Sequence, residues 1–464
     1  MRFPYPAWCL ILTLASALPD TPGQATVGCP GDCNDNGAVT VDELLVGVQM
    51  ALGQRPLATC PPFDAEGVGQ VTVDDLLLSV DAALHGCAVP NPPPAYRPLY
   101  SFLQRKLAEM RDYLRANWDG RRSCPTFSTA LLVANGNRGE ALLPPTTMVG
   151  VNITLDRLQS LGVQGVYVSV PYPLFVDGFP HAADYIAFYH QVSQAVHSRS
   201  LKMMVSNGTV FPVPAFSSLP VADYYAQLTL DRYKREKRAM VATIVQQMQP
   251  EYLTLENEPS TQQANTGLSY SVSNATGIIQ FVLDGLDRQG TLMGAGAGTW
   301  ESTDYVASFA ANTTIDYIDA HVYPINRDFV IDRLIQFDAI ADANHKRVVI
   351  GESWLYKSLD RELGGGVAST PAIFARDVFS FWEPLDREFF QHLTKLADLR
   401  GIEWVSLFWM RYFYGFLDYT PSLDALMPAA LFEVANQAAA PNIVANRLTP
   451  TGFAYKELID RACR

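Results

Sequence analysis

Short apolar or alternating segments, separated by longer amphipathic ones, run from about residue 98 to the end of the chain. The short segments have the length and side chains of β-strands, and stretches such as 184–197 and 224–247 have the apolar spacing of helices. Strands are predicted at 129–134, 165–170, 201–205, 252–256, 292–297, 317–322, 348–352 and 404–409. Eight strands that alternate with helices predict an α/β fold, a closed (β/α)₈ TIM barrel with a parallel sheet.

Two of the predicted strands end in glutamates. The fourth runs into the sequence LENEP, which contains Glu256 and Glu258, and the seventh runs into IGESW, which contains Glu352. Barrels of this kind place their chemistry at the carboxyl ends of the strands. Two carboxylates across a cleft suit the cleavage of a glycosidic bond, where one donates a proton and the other attacks the sugar.

Each glutamate has an alternative interpretation. Glu352 could be a buried acid paired with a basic residue. Glu256 competes with Glu258, because residues two apart on a regular strand face the same way. We favour Glu258, since Asn257 directly precedes it and it is nearer the strand end.

The Asn257-Glu258-Pro259 sequence at strand four, with Glu352 at strand seven, resembles glycoside hydrolase clan A. This clan comprises retaining barrel enzymes such as cellulases, mannanases and galactanases. The resemblance implies that Glu258 is the acid/base and Glu352 the nucleophile, and that Asn257 hydrogen-bonds the sugar 2-hydroxyl. It also implies a polysaccharide or oligosaccharide substrate and no cofactor for catalysis.

Further substrate-binding residues are expected at other strand ends. Alternate residues of the sixth strand are polar, and the resemblance implies that His321 and Tyr323 surround the nucleophile. It also implies that Trp409 forms an aromatic floor under the sugar. Further candidates follow strands three, two and five, namely Asn207, Tyr172 and Trp300. Each of these aromatic or polar residues could instead be part of the core. The clan commonly has an arginine near strand two, which is missing here, and Arg138 is a candidate substitute.

Residues 27–88 contain a repeat in which an acidic loop precedes an apolar helical pattern. Oxygen-bearing residues with a glycine at the sixth position fit a calcium loop. The first loop offers Asp32, Asn34, Asn36, Ala38 (through its backbone), Thr40 and Glu43, and the second offers Asp64, Glu66, Gln70, Thr72 and Asp75. The second fits less well, because Val68 stands where a ligand oxygen is expected. The alternative is a pair of acidic turns that cap two helices.

The repeat resembles the dockerin type I module, which is a small all-α domain with paired calcium loops. The resemblance implies structural Ca²⁺ and a cohesin-like or cell-surface partner, although the cysteines depart from the usual pattern of that family. A proline-rich linker is predicted at 89–97, followed by the barrel domain at 98–464. The main role of the module could also be to attach the enzyme domain to another protein or to the cell surface.

The N-terminus predicts export. Arg2, an apolar stretch at 7–18 and the small residues at 15–17 are typical of a signal peptide, placed at 1–25. A membrane anchor is disfavoured, because the apolar run is shorter than the ~20 residues that span a bilayer. We therefore expect a secreted protein, free or attached at the cell surface, with no transmembrane segment after removal of the signal.

Cysteine usage agrees with an oxidising compartment. Without Cys9, six cysteines remain: Cys29, Cys33, Cys60, Cys87, Cys124 and Cys463. An even number predicts disulfides. We expect Cys124 to pair with Cys463, whereas the pairing of the other four stays open. A zinc site is disfavoured, because a second close pair of cysteines is missing from the spacing.

Composition narrows the function classes. The chain has 464 residues and a formal net charge of −13, and its lysines and arginines form no run that would make a basic face for nucleic acid. A metal-dependent barrel hydrolase would need clustered histidines and carboxylates. The chain has seven histidines, and no His-x-His occurs at the first strand. A barrel that binds glycans without cleaving them is the other alternative.

Overall fold

The computed structural model describes residues 29–34, 36, 38–64, 69–85, 92–120, 123–214, 217–323, 331–362 and 371–462. The chain divides into two compact units after residue 89, at the start of the predicted linker. The predicted signal peptide lies outside the described residues. None of the described helices is long and apolar enough to cross a membrane.

The small unit contains the two helices that the repeat predicts, α1 (Val41–Ala51) and α2 (Val73–His85). Two short 3-10 turns lie between them, at Leu57–Thr59 and Pro61–Phe63. Thr40 and Glu43 cap α1 reciprocally: the Glu43 N–H donates to Thr40 Oγ1 and the Thr40 N–H donates to Glu43 Oε2. The Cys33–Cys60 disulfide and the buried ring of Phe63 form the small core.

The large unit is a closed barrel of eight parallel strands in sequence order, which confirms the predicted fold. The strands are β1 (Thr126–Ala130), β2 (Gly165–Ser169), β3 (Lys202–Ser206), β4 (Tyr252–Thr254), β5 (Leu292–Gly298), β6 (Tyr317–Val322), β7 (Arg347–Ser353) and β8 (Trp404–Leu407). Pairing of β1 with both β2 and β8 closes the sheet.

Helices surround the barrel. They are α3 (Arg97–Asn117), α4 (Pro145–Leu161), α5 (Ala182–His197), α6 (Ala222–Ala226), α7 (Leu230–Met248), α8 (Pro259–Thr266), α9 (Val272–Leu283), α10 (Thr303–Asn312), α11 (Ile331–Ala343), α12 (Pro371–Phe374), α13 (Glu383–Arg400), α14 (Pro421–Asp424), α15 (Pro428–Ala445) and α16 (Pro450–Ala462). Short 3-10 turns occur at Leu132–Ala134, Gly136–Leu142, Asp360–Glu362, Ala375–Val378, Ser380–Trp382 and Met410–Phe413. Helix α3 precedes the first strand and packs against α13, and α15 packs against α4.

The barrel interior has its own core of large side chains, with Tyr167, Met204, Tyr252, Tyr317 and Trp404 among its members. Outward-facing strand residues join the larger core beneath the helices. The predicted alternation of β6 is confirmed, since its apolar residues Ile318, Ala320 and Val322 lie in that outer core.

Several strand bounds differ from the prediction. Strand β1 begins and ends earlier than expected, because Leu132–Ala134 turns into a 3-10 helix. Strands β4 and β8 end at Thr254 and Leu407, before the residues predicted to finish them. Glu256, Glu258 and Trp409 therefore lie in loops rather than in strands. The alternation of side chains along a strand does not predict which way these three face.

Cys124 is disulfide-bonded, and its predicted partner Cys463 lies outside the described residues. Cys29 is also disulfide-bonded, and Cys87 likewise lies outside the described residues.

Candidate active site

The two predicted catalytic glutamates meet at the carboxyl ends of the strands. One carboxylate oxygen of Glu258, one of Glu352 and a ring nitrogen of His321 all lie within 4.8 Å of one another. The three side chains line a cavity of about 670 Å³. A cavity of this size with a few converging polar groups is typical of a small-molecule site.

A bulge in β7 aims Glu352 at this point. Regular alternation from Val349, which lies in the barrel interior, would turn Glu352 outward. The pairing with β6 shifts, so that Ala320 lies opposite Ile350 and His321 lies opposite Glu352. Gly351 is the extra residue, and its insertion returns Glu352 to the inner face.

A glycine is required at position 351, because the Asp319 carboxylate lies against its backbone. Its N–H donates to Asp319 Oδ1 at 2.8 Å, and a Cβ at this position would lie 2.4 Å from the same oxygen. Thr254 donates to the other oxygen, Asp319 Oδ2, at 2.7 Å. The buried Asp319 carboxylate therefore accepts one hydrogen bond from β4 and one from β7.

Glu258 occupies the N-cap position of α8, in the loop that follows β4. Thr261 Oγ1 donates to Glu258 Oε2 at 2.7 Å, and His321 Nδ1 lies 2.7 Å from Glu258 Oε1. Both oxygens are thus oriented by partners from different elements. The carboxylate remains about 16% exposed, towards the cavity.

Glu256 is buried and does not line the cavity. Its Oε1 accepts the N–H groups of Asn257 at 3.0 Å and Glu258 at 3.2 Å. Burial raises the pKa of Glu256 to about 7, although the charge of the buried Lys237 opposes this. Burial in turn lowers the pKa of Lys237 to about 8. The expectation that Glu256 and Glu258 face the same way is wrong, because the strand ends before them.

Glu352 is surrounded by hydroxyl groups and charge. Tyr323 donates to Glu352 Oε2 at 3.0 Å. Burial raises the pKa of Glu352, and the nearby Glu258 adds to this, whereas His321 and the hydroxyls of Tyr167 and Tyr323 favour its ionised form. The charge of His321 and the two tyrosine hydroxyls therefore offset part of the cost of burying the ionised Glu352 carboxylate.

His321 lies between three acids. Its Nδ1 is 2.7 Å from Glu258 Oε1 and 3.6 Å from Glu352 Oε2, and its Nε2 is 3.8 Å from Asp319 Oδ2. Burial lowers the pKa of His321, but the charge of Glu352, the hydrogen bond to Glu258 and the other acids together raise it to about 10. The ring is therefore an imidazolium at neutral pH that compensates the carboxylates around it.

Glu258, His321 and Glu352 also lie near enough to one another to share an ion.

The other predicted substrate-binding residues divide into two groups. Asn257, Tyr323, Trp300 and Trp409 line the cavity with the glutamates and His321. Asn257 Nδ2 donates to Ser206 Oγ at 2.7 Å, which orients its amide. Arg138, the candidate substitute for an arginine of strand two, also lines the cavity and donates to the carbonyl of Val133.

Asn207 and Tyr172 are not brought to the cavity, and both expectations need correction. Asn207 is fully buried and its Nδ2 donates to the carbonyl of Val170 at 2.9 Å. Tyr172 is fully buried among tyrosines and donates to Glu236. Both side chains therefore lie in the barrel wall, although Asn207 Oδ1 has no hydrogen-bond partner there.

Residues that the sequence did not single out complete the site. Tyr167 lies on the inner face of β2, where strand alternation alone would have indicated it. Glu301 follows β5, and its oxygens accept the Ser260 N–H at 2.6 Å and the Gly298 N–H at 2.8 Å. Burial raises the pKa of Glu301 to about 8. This carboxyl group ties the start of α8, and with it Glu258, to β5.

The first predicted calcium loop is folded around its acidic side chains. Asp32 Oδ1 accepts the N–H groups of Asn34 at 3.3 Å and Asn36 at 3.2 Å, and Glu43 Oε1 accepts that of Cys33 at 3.0 Å. Asp32 and Glu43 are both buried. Oxygen donors of this type suit a hard cation such as Ca²⁺. In the second loop Asp64 Oδ2 accepts the Gly69 N–H, and Glu66 lies outside the described residues.

No family model and no curated protein matches this chain. Among solved structures, a GH5_18 protein from Bifidobacterium longum subsp. longum is 15% identical, with a TM-score of 0.48, covering 73% of this chain and 79% of the other. An exo-beta-1,4-mannosidase from an Opitutaceae bacterium is 14% identical, with a TM-score of 0.44, covering 72% of this chain and 59% of the other.

A glycoside hydrolase family 30 subfamily 8 xylanase from Clostridium acetobutylicum is 14% identical, with a TM-score of 0.37, covering 68% of this chain and 71% of the other.

Proposed function

We propose that this chain is a retaining glycoside hydrolase that cleaves β-linked O-glycosidic bonds of a polysaccharide or oligosaccharide. One observation carries the proposal: oxygens of Glu258 and Glu352 lie within 4.8 Å of each other at the mouth of the barrel. Retaining enzymes hold their two carboxyl groups about 5–5.5 Å apart, whereas inverting enzymes need roughly 6.5–9.5 Å to admit a water molecule.

In the first step, Glu258 protonates the glycosidic oxygen while Glu352 attacks the anomeric carbon. The bond to the leaving sugar breaks and a glycosyl ester forms on Glu352. In the second step, Glu258 takes a proton from water, and the water oxygen attacks the anomeric carbon and releases Glu352. Both displacements invert the carbon, so that the product keeps the configuration of the substrate.

The surrounding residues serve these two roles. The charge of His321 and the hydroxyls of Tyr167 and Tyr323 favour the ionised form of Glu352, which a nucleophile requires. Thr261 and His321 orient the two oxygens of Glu258. Trp409 and Trp300 line the cavity with aromatic rings, on which the apolar faces of a sugar can lie.

The test is hydrolysis of β-glucan, mannan, galactan and xylan, followed by NMR of the first product anomer. Retention of configuration supports the proposal, whereas an inverted first product excludes double displacement. Glu352→Gln should abolish turnover. Glu403→Gln is a matched control, because Glu403 pairs with Arg347 on the exposed surface and does not line the cavity.

The alternative is a barrel that binds glycans without cleaving them. It predicts saturable binding of one polymer of the panel and no turnover, with Glu352→Gln binding as well as wild type. The converging acids favour catalysis, since a binding site gains nothing from two carboxylates so close together.

For the small unit we propose structural Ca²⁺ and a protein partner on a scaffold or cell surface, such as a cohesin-like domain. Helices α1 and α2 each present apolar side chains to solvent at helical spacing. They are Val41, Leu45 and Val48 on α1, Leu52 directly after it, and Val73, Leu77 and Val80 on α2, each between 39% and 73% exposed. Repeated stripes of this kind are typical of a binding surface.

Calorimetric titration of the full chain with CaCl₂ tests the metal, and Asp32→Ala should remove the binding at the first loop. Deletion of residues 27–88 tests the attachment role and should spoil localisation without loss of turnover. We further propose export through residues 1–25, which the Cys33–Cys60 disulfide supports. Cell fractionation with and without residues 1–25 tests it.

A further inference from the structure

Arg411 is a buried cation on the wall of the active-site cavity. It follows β8, in the 3-10 turn Met410–Phe413, and its side chain lines the cavity. Arg411 is only about 6% exposed. Arginines are almost never buried to this degree unless an anion accompanies them.

No carboxylate of the described residues lies within 4.0 Å of this guanidinium. Its Nη1 donates to Asn436 Oδ1 at 2.8 Å, and its Nε has no hydrogen-bond partner. The neighbouring acids have other partners: Asp377 is 2.9 Å from Lys357 Nζ, and Glu433 accepts from Gln437 at 2.9 Å. Asp377 interacts with Arg411 only through its longer-range charge.

The guanidinium lies over aromatic rings in the wall of the cavity. Its central carbon is 4.4 Å from the ring centroid of Trp409 and 5.1 Å from that of Phe432. Arg411 and Trp409 both line the cavity, so that a sugar bound there can meet both side chains. Asn436, on the wall formed by α15, is the second polar group at this point.

We propose that Arg411 and Asn436 form a subsite for a carboxylate of the substrate, so that the sugar at this position is a uronic acid. This rests on the proposed glycosidase function and specifies its substrate class. Guanidinium and carboxylate match as a fork with two parallel hydrogen bonds, and a buried site strengthens them. Arg138, a second arginine that lines the cavity, adds positive charge without any carboxylate partner within 4.0 Å among the described residues.

The competing explanation is that Arg411 only braces Trp409 through cation–π contact. The two explanations differ in a measurable way. A carboxylate subsite affects acidic substrates alone, whereas a brace under Trp409 affects acidic and neutral substrates equally.

The experiment compares matched pairs of 4-nitrophenyl β-glycosides that differ only at C6: glucuronide against glucoside, galacturonide against galactoside, and mannuronide against mannoside. For wild type we expect a higher kcat/KM on the acidic member of the accepted pair. Arg411→Met should lower kcat/KM for that acidic substrate at least about tenfold and leave the neutral one within about twofold. Arg411→Lys should fall between, because it keeps the charge and loses the fork.

Arg347→Met is the control for loss of a surface arginine, since Arg347 begins β7 at the opposite end of the barrel. Neutral glycosides hydrolysed in preference to acidic ones, or an equal loss on both with Arg411→Met, would overturn the uronic-acid subsite and leave the glycosidase intact.

If no glycoside of the panel is cleaved, calorimetric titration with glucuronate, galacturonate and mannuronate separates the two proposals. Uronate binding that Arg411→Met abolishes supports the subsite even without turnover. Absence of uronate binding as well as turnover would overturn it.

Discussion

The N–H of Gly351 donates a 2.8 Å hydrogen bond to Oδ1 of Asp319, at the bulge that turns Glu352 towards the cavity. The side chain of Asp319 fills the space that a Cβ on residue 351 would need. The same carboxylate lies 3.8 Å from His321 Nε2. One backbone contact thus links the position of Glu352 to that of His321.

Gly351→Ala should disturb both residues. The added Cβ would meet Asp319 Oδ1 at 2.4 Å, so the carboxylate must move and lose its hydrogen bonds. We expect a loss of about 1–3 kcal/mol in the free energy of unfolding, from overpacking, together with a fall in kcat. Urea denaturation and initial rates measure the two effects.

Gly277→Ala is the control, because this helical position of α9 leaves 3.5 Å to Lys234 Nζ. Alanine should be neutral or stabilising there. Equal behaviour of the two variants would contradict the role assigned to the bulge.

Glu258 and Glu352 should differ in their dependence on the leaving group. Glu258→Ala removes the proton donor, so hydrolysis of natural glycosides should fall by about 10²–10⁴-fold, whereas a dinitrophenyl glycoside needs no protonation and should still form the glycosyl ester. Glu352→Ala removes the nucleophile and should abolish both reactions. Burst kinetics with the two substrates check this, and the reverse pattern would exchange the two roles.

His321→Ala should shift the pH dependence of activity. The imidazolium lowers the pKa of Glu352, so its removal raises that pKa. The acidic limb of the kcat/KM profile, where Glu352 must be ionised, should therefore move to higher pH. An unchanged acidic limb would mean that the charge of His321 does not affect the pKa of Glu352.

The stability of the same variant provides a second check. The folded pKa of His321, about 10, lies above its ordinary value of 6.5. Its stabilising contribution is therefore complete below pH 6.5 and is lost as the pH rises through 10. The deficit of His321→Ala should be largest at pH 6 and shrink above pH 10. His190→Ala serves as control, because His190 is exposed and its ring nitrogens pair with Gln194 and the Gln247 carbonyl rather than with an acid.

Lys237→Met should leave Glu256 as an uncompensated buried acid. We expect destabilisation of about 3 kcal/mol or more at neutral pH. Glu256 has a folded pKa raised to about 7, so stability is lost as the pH rises through that value, and removal of Lys237 raises this pKa further. The stability of Lys237→Met should therefore fall more steeply between pH 5 and 9 than that of wild type.

The double variant Lys237→Met/Glu256→Gln separates the effect of the Glu256 charge from that of losing the Lys237 side chain. Glutamine keeps the Oε1 that accepts the N–H groups of Asn257 and Glu258. We expect the double variant to be more stable than Lys237→Met at pH 9, as measured by urea denaturation. A double variant that is less stable would show that packing, and not charge, dominates at this site.

The barrel and its two acids were predictable from local pattern. The alternation along β6 places Tyr317, Asp319 and His321 on the inner face, and such periodicity is a property of one strand alone. Asn257-Glu258 and Glu352 occur where the pattern ends the fourth and seventh strands, which is where a barrel gathers its chemistry. In the same way, the repeated acidic loops predicted the two helices of the small unit.

Tertiary structure decided which way the decisive side chains face. The bulge at Gly351 turns Glu352 inward, and the early end of β4 leaves Glu256 buried and places Glu258 at the cavity. Asn207 and Tyr172 have suitable positions in the sequence, yet neighbouring elements bury them in the wall. Bulges, strand ends and burial depend on contacts between residues far apart in the chain, and the pattern of a single segment does not contain those contacts.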